Sequence, residues 1–256
     1  MLTRKLWRAA VFVTTLAIAF SAQAELRDTL ERIKPSIVAL GLFKPLGSPQ
    51  FTMRGTGFVV GDGNTVATNA HVVAGATADQ EGTGLVAQVH SSNGESPLRR
   101  AKVLAIDQEH DLAVLRLEGQ PLPKMSLRGM ETVREGDSVA FTGFPIGAAL
   151  GFFPVTHRGS ISAIAPIVLP AANAQNLNVS VIRRAKSGAF KIYQMDATAY
   201  PGNSGSPVYD PETGEVIGVM NMVFIKSTRE AALSQPSGIA YAIPADYLAD
   251  LLRTIR

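Results

Sequence analysis

The chain has 256 residues, of which 46% are hydrophobic and 18% charged, with a formal net charge of +3. That balance excludes an intrinsically disordered polymer and leaves enough apolar side chain for a core of one or two domains. The absence of cysteine excludes a thiol nucleophile, a thiolate metal site and a disulfide-stapled secreted scaffold.

The first 24 residues stand apart. Arg4, Lys5 and Arg8 form a basic start, Ala9 to Phe20 is an uncharged apolar run, and Ala22-Gln23-Ala24 places small residues two apart. This is the pattern of a secretory signal peptide cleaved after Ala24. The run is short for a bilayer span, and the alternative is an uncleaved anchor, the one membrane contact expected. Beyond Ala24 the basic residues equal the 21 acidic ones, so nucleic acid is not an expected partner. The local cluster Arg183, Arg184, Lys186 and Lys191 reads as a solvated face.

Leu26 to Lys34 suits a short amphipathic helix that Pro35 ends. Short runs rich in Val, Ile, Phe and Thr follow at Ser36–Phe43, Gly57–Val60, Thr65–Thr68, Leu85–His90, Ala101–Ile106 and Leu112–Leu117. Gly61-Asp62-Gly63-Asn64 and Ser91-Ser92-Asn93-Gly94 mark turns. Glu118 to Met130, with Gly119, Pro121, Pro123 and Gly129, reads as a linker. A second series follows at Ser138–Thr142, Val155–Ile164, Asn178–Ile182, Lys191–Met195, Ser206–Tyr209, Val216–Ile225 and Ile239–Ile243. Such spacing suggests an all-β barrel or sandwich. Pro244-Ala245-Asp246 opens a last helix through Ile255, with leucines at 248, 251 and 252. The expected organisation is a signal peptide over 1–24, a first β unit over 25–125 and a second over 126–256.

Three segments carry chemistry. Gly202-Asn203-Ser204-Gly205-Ser206-Pro207 presents a serine between glycines, which permit unusual backbone angles and close approach of a substrate. A serine hydroxyl needs a base to take its proton, and His71, in Thr68-Asn69-Ala70-His71-Val72-Val73, is a candidate. Asp111 heads the apolar strand Leu112–Leu117, where a carboxylate needs a partner. Together, in the order His, Asp, Ser, they are the groups of nucleophilic acyl transfer. The backbone N–H groups of Gly202 and Ser204 would converge on the oxyanion. Each segment has a plainer reading: an Asn/Gly/Ser turn, a surface histidine, a turn or capping aspartate. Asp107 competes with Asp111 but does not abut the strand, and His110 reads as solvent-facing. The four histidines show no metal-ligand spacing.

The chain resembles the trypsin-like peptidase domain of the bacterial HtrA/Deg family. The matching segments are Gly55–Val60, Thr68–Val73, Asp111–Leu115, Gly143-Phe144-Pro145, Asp196-Ala197, Gly202–Pro207, Gly214–Val219 and Ile239–Pro244, within residues 36–255. The resemblance implies two six-stranded antiparallel β-barrels and a C-terminal helix. His71 and Asp111 would come from the first barrel and Ser204 from the second. It also implies an exported serine endopeptidase, periplasmic or extracellular, acting on polypeptides without metal or organic cofactor, and a possible homo-oligomer. Asn203 stands where zymogen-activated relatives place an aspartate, so activation by that ion pair is not expected.

The chain also departs from the family pattern. Ser206 stands where relatives usually have glycine, which is harmless if the backbone there is β-like. No PDZ domain follows the barrels, so peptide-triggered activation through one is not expected. Asn173 to Ala189 reads as an insertion. By rough alignment Thr198 and Ala199 line the base of the first substrate pocket, and Met220-Asn221-Met222 and Ile239-Ala240 its walls. A preference for small or medium apolar side chains follows. Pro201 lacks an N–H, which costs nothing if the donors are Gly202 and Ser204. Two other readings stay open: a catalytically silent polypeptide-binding module on the same fold, and an esterase.

Overall fold

The structure, a computed structural model, describes residues 26–76, 83–90, 96–145, 147, 152–166, 190–221 and 238–255. Helix α1 covers 26–33 and passes into a 3-10 turn, Lys34–Ser36, with Pro35 in its first positions. Proline suits a helix start, where no N–H is required of it.

Six strands then close into a barrel: β1 (Ile37–Phe43), β2 (Phe51–Val60), β3 (Thr65–Asn69), β4 (Gly84–Val89), β5 (Leu98–Asp107) and β6 (Leu112–Leu117). Their order around the barrel is β1-β2-β3-β6-β5-β4, with antiparallel pairing. A single turn of helix, α2 (Ala70–Val73), follows β3. The second barrel holds β7 (Ser138–Gly143), β8 (Val155–Pro166), β9 (Lys191–Asp196), β10 (Pro207–Tyr209), β11 (Val216–Met220) and β12 (Ile239–Pro244), in the order β10-β11-β12-β9-β8-β7. Helix α3 (Ala245–Arg253) follows β12. Two closed six-stranded antiparallel barrels with a C-terminal helix are the chymotrypsin-like fold.

Val38, Leu40, Val59, Val66 and Leu115 pack inside the first barrel, and Phe141, Ile161, Tyr193, Met195 and Ile217 inside the second. A third apolar cluster joins the two. It takes Ile37, Phe58 and Leu112 from the first barrel, Tyr209 and Val216 from the second, and Leu248 from α3. Burial of this kind contributes about 25 cal/mol per Å² of apolar surface, so the barrels hold each other without disulfides. Between them the chain from 118 to 137 contains a 3-10 turn (Met130–Thr132) and no strand. Its backbone is tied to both sides: Met125 N–H donates to Val59 O at 2.9 Å and Arg128 N–H to Val216 O at 2.8 Å.

The structure differs from the sequence reading in several places; β5, for one, begins at Leu98, not Ala101. Strand β2 begins at Phe51, not Gly57, because a bulge between Leu40 and Gly41 lets β1 keep pairing with Thr52 and Met53. Polar Thr52 and Arg54 had broken the apolar pattern there. Secondly, His110 is not solvent-facing. Its side chain is 16% exposed, hydrogen-bonded to Asp107 and packed between Phe190 and Tyr247. Partners from the second half of the chain bury it, which no local pattern announces. The strand named at Val216–Ile225 ends at Met220, and residues 222–225 lie outside the described residues, as do Asn178–Ile182 and the insertion Asn173–Ala189.

Candidate active site

Strand β3 delivers His71. Its β-branched run ends at Asn69, and the single turn α2 lifts His71 out of the sheet, leaving its side chain 32% exposed. Strands β5 and β6 are joined by a tight hairpin whose last residue is Asp111. Asp111 is the only non-glycine residue with positive φ (54°) among the described residues, a conformation that L side chains adopt at a cost. In return its carboxylate meets His71 twice. Oδ2 is 2.6 Å from His71 Nδ1, and Oδ1 accepts the His71 backbone N–H at 2.9 Å. The Asp111 carbonyl accepts Asn69 Nδ2 at 3.1 Å and Ala70 N–H at 3.0 Å.

From the second barrel, Asn221 Nδ2 donates to Asp111 Oδ2 at 2.8 Å. Both Asp111 and Asn221 are buried. A buried carboxylate with three donors is compensated for its desolvation and fixed in direction. Asn221 therefore touches the acid, whereas the sequence reading had assigned it to a pocket wall.

Ser204 lies on a loop that is built against β2. Thr56 supplies two of the ties: its N–H donates to Ser204 O at 2.8 Å and its Oγ1 donates to Gly202 O at 2.7 Å, while its own carbonyl accepts Thr68 Oγ1 of β3 at 2.7 Å. Phe144 N–H donates to Thr56 Oγ1 at 3.2 Å. Gly55 and Gly205 make this approach possible. A Cβ on Gly55 would stand 2.6 Å from Val72 Cγ2 and 2.9 Å from Ser204 O, and one on Gly205 2.1 Å from Thr56 O. Gly205 also needs its φ of 83°.

Residues Tyr200 to Asn203 form a turn closed by Asn203 N–H to Tyr200 O at 3.0 Å. Pro201 is second and Gly202, with φ 102°, third, the signature of a type II turn. The N–H groups of Gly202 and Ser204 have no partner among the described residues, nor does any hydrogen bond there join Ser204 Oγ to His71. Ser206 is buried without positive φ, so its Cβ is not strained. Its hydroxyl occupies the space that a Cβ on Gly143 would fill, 2.1 Å away.

The proposed pocket residues are placed as follows. Ala199 and Met220 are buried in one apolar cluster with Ala240, Thr198 is half-buried, Asn221 holds Asp111, and Met222 lies outside the described residues. Nearby, His157 stacks on Phe141 at 5.0 Å, and burial holds its imidazole below the usual histidine range. In the hairpin before Asp111, burial pushes the Asp107 carboxyl up. Hydrogen bonds from His110 and from the Glu109 backbone outweigh that and leave it below the usual carboxylate range.

Comparison with known proteins agrees with this fold. Residues 55–219 match the family described as the trypsin-like peptidase domain. The chain belongs to that family. Its relatives are of the HtrA/DegP type. It is 30% identical over 202 residues to a probable periplasmic serine endoprotease DegP-like of Halomonas elongata, covering 79% of this chain and 35% of the relative. It is 31% identical over 232 residues to the mitochondrial serine protease HTRA2 of Bos taurus, covering 88% and 42%. The chain thus spans less than half the length of these relatives. Among solved structures it resembles the HtrA-type protease AlgW with a tripeptide (TM-score 0.63, 27% identity), covering 90% of this chain and 63% of that one. AlgW with a decapeptide is similar at the same TM-score and 25% identity, covering 90% and 67%.

Proposed function

We propose that the chain is an exported serine endopeptidase. The observation that carries the reading is the His71–Asp111 pair, joined through Nδ1 at 2.6 Å, with Ser204 held on a glycine-flanked loop. Ser204 Oγ attacks the carbonyl carbon of a peptide bond while His71 Nε2 takes its proton. Asp111 orients the ring and stabilises its cation. The N–H groups of Gly202 and Ser204 bind the oxygen as it becomes an oxyanion, each contributing about 3–4 kcal/mol. His71 then returns the proton to the leaving amine, and water, deprotonated by the same histidine, releases the acid. In the resting geometry Ser204 and His71 are not hydrogen-bonded, and catalytic hydrogen bonds often tighten only around substrate.

Thr198, Ala199, Met220 and Met222 are proposed to surround the side chain before the cleaved bond, while the side chain of Asn221 is committed to Asp111. None of these residues is acidic, which favours a small or medium apolar side chain there over Lys or Arg. Residues 1–24 are proposed to direct export to the periplasm or cell exterior, as the periplasmic DegP-like relatives suggest. Unfolded or extended polypeptides are the proposed substrates, since AlgW was solved with bound peptides.

The test is a fluorophosphonate probe on residues 25–256, wild type and Ser204→Ala, with the label located by peptide mapping. Label at Ser204 that the variant lacks is the expected result. A folded wild type that stays unlabelled even with unfolded protein present would replace this reading by a binding module. Release of peptides cut after Lys or Arg would overturn the apolar pocket.

A further inference from the structure

The hairpin that presents Asp111 contains a second imidazole–carboxylate pair. His110 Nδ1 lies 2.6 Å from Asp107 Oδ2, the same separation as in the His71–Asp111 pair. Asp107 is the last residue of β5 and pairs with Leu112, the first of β6, so Gln108 to Asp111 form the connection. The other oxygen, Oδ1, accepts the N–H groups of Glu109 at 2.9 Å and His110 at 3.1 Å. One carboxylate thereby spans the connection, through both its backbone and its side chain.

The His110 ring is also fixed from outside the hairpin. It stacks on Tyr247 of α3 at 4.0 Å with 16° between the planes, and Phe190 meets its edge at 4.8 Å. Tyr247 is itself anchored, its hydroxyl accepting Lys191 N–H at 3.1 Å. The next residue in the chain is Asp111, whose φ of 54° is unfavourable for an L side chain. A strained residue persists only where its surroundings over-determine it. The hydrogen bonds of Asp111 itself fix its carboxylate and carbonyl; the Asp107–His110 pair fixes the backbone that enters it.

We infer that His110 and Asp107, clamped by Tyr247, are positioning residues that hold Asp111 in the left-handed conformation from which its carboxylate reaches His71. This rests on the reading of Asp111 as the carboxylate that orients the base. His110 touches neither substrate nor reacting atoms; it acts through Asp111. Relaxation of the hairpin would lengthen the His71–Asp111 bond and slow proton transfer, with no change in the surface that binds substrate.

Two variants separate the hydrogen bond from the packing. His110→Phe keeps a ring between Tyr247 and Phe190 but has no N–H for Asp107. His110→Asn keeps a donor near the Nδ1 position but loses the stack. Turnover of a peptide substrate and the downfield proton resonances of the two imidazole–carboxylate bonds would be measured in each. His110→Phe is expected to lower kcat by about tenfold with KM within about twofold, to lose the His110 resonance and to broaden that of His71. His110→Asn should stay within about threefold of wild type. A His110→Phe protein with wild-type kcat and an unshifted His71 resonance overturns the inference, as do equal losses in both variants. Should His110→Phe not fold, Asp107→Ala removes the acceptor of the His110 bond and leaves the ring against Tyr247; the losses given for His110→Phe are then expected, and wild-type kcat with an unshifted His71 resonance overturns the inference. If wild type neither turns over nor labels, the proposed function has failed, and the His71 resonance alone judges the brace.

Discussion

At the scale of single residues, the site depends on groups that differ in how visible they were. Ser204, His71 and Asp111 could be singled out because each sits in a short segment of distinctive chemistry, and the structure joins His71 to Asp111. Asn221 could not be identified as a partner of Asp111. The two are 110 positions apart, and an asparagine at a strand end is ordinary. Its loss would leave a buried carboxylate one donor short, which costs about 1.5–3 kcal/mol. Asn221→Ala is therefore expected to lower kcat about 10- to 100-fold while thermal unfolding shows one cooperative transition. Unchanged steady-state kinetics would show that Asn221 does not support the acid. His110 was misread for the same reason: the rings that bury it come from residues 190 and 247.

At the scale of elements, most strands were legible because β-branched and apolar runs alternate with turn residues. The start of β2 was not, since Thr52 and Arg54 are half-buried or exposed at the strand's outer end. Yet β2 sets the loop that carries Ser204 through Gly55 and Thr56. Gly55→Ala would drive a methyl group into Val72 and the Ser204 carbonyl. It should slow labelling of Ser204 about tenfold or more and lower the unfolding midpoint by a few degrees. Thr56→Val removes the hydroxyl that donates to Gly202 and accepts from Phe144. The turnover rate should fall while affinity for a bound peptide changes little, because the loop's conformation, not its contact surface, is altered. Calorimetric peptide titration beside single-turnover kinetics checks this, and an equal loss in both would contradict it.

At the scale of the whole molecule, two half-buried groups give stability a pH dependence with a definite sign. Burial raises the Asp210 carboxyl, but the N–H groups of Thr213 and Glu212 and the Arg128 guanidinium at 2.7 Å outweigh it and leave the group below the ordinary 3.8. The stabilisation is complete above that value and is lost as pH falls below it. Because Arg128 lies between the barrels and Asp210 after β10, Asp210→Asn should loosen that junction. Its unfolding midpoint should lie below wild type near neutral pH, with the gap closing in acid. His157 works in the opposite chemical sense. Burial holds it below 6.5, so the unfolded chain binds a proton that the folded chain resists, and stability falls as pH drops through 6.5. His157→Phe should flatten the thermal midpoint between about pH 7.5 and 5; a slope equal to wild type would show that another group is responsible. That there are two units was suggested by the glycine- and proline-bearing stretch from Glu118. That each closes on itself came only from the family resemblance, since closure depends on pairings such as β1 with β4 that bring distant segments together.

Closure has a consequence for what the molecule can safely meet. An open sheet ends in a row of unpaired N–H and carbonyl groups, which invite any extended chain to join as another strand. Each ring of strands is closed, β1 pairing with β4 in the first barrel and β7 with β10 in the second, so the described strands leave no such border. Extended chains that collect around this protein would find no sheet to lengthen, and it should stay dispersed in mixtures where open-sheet proteins are drawn into fibrils.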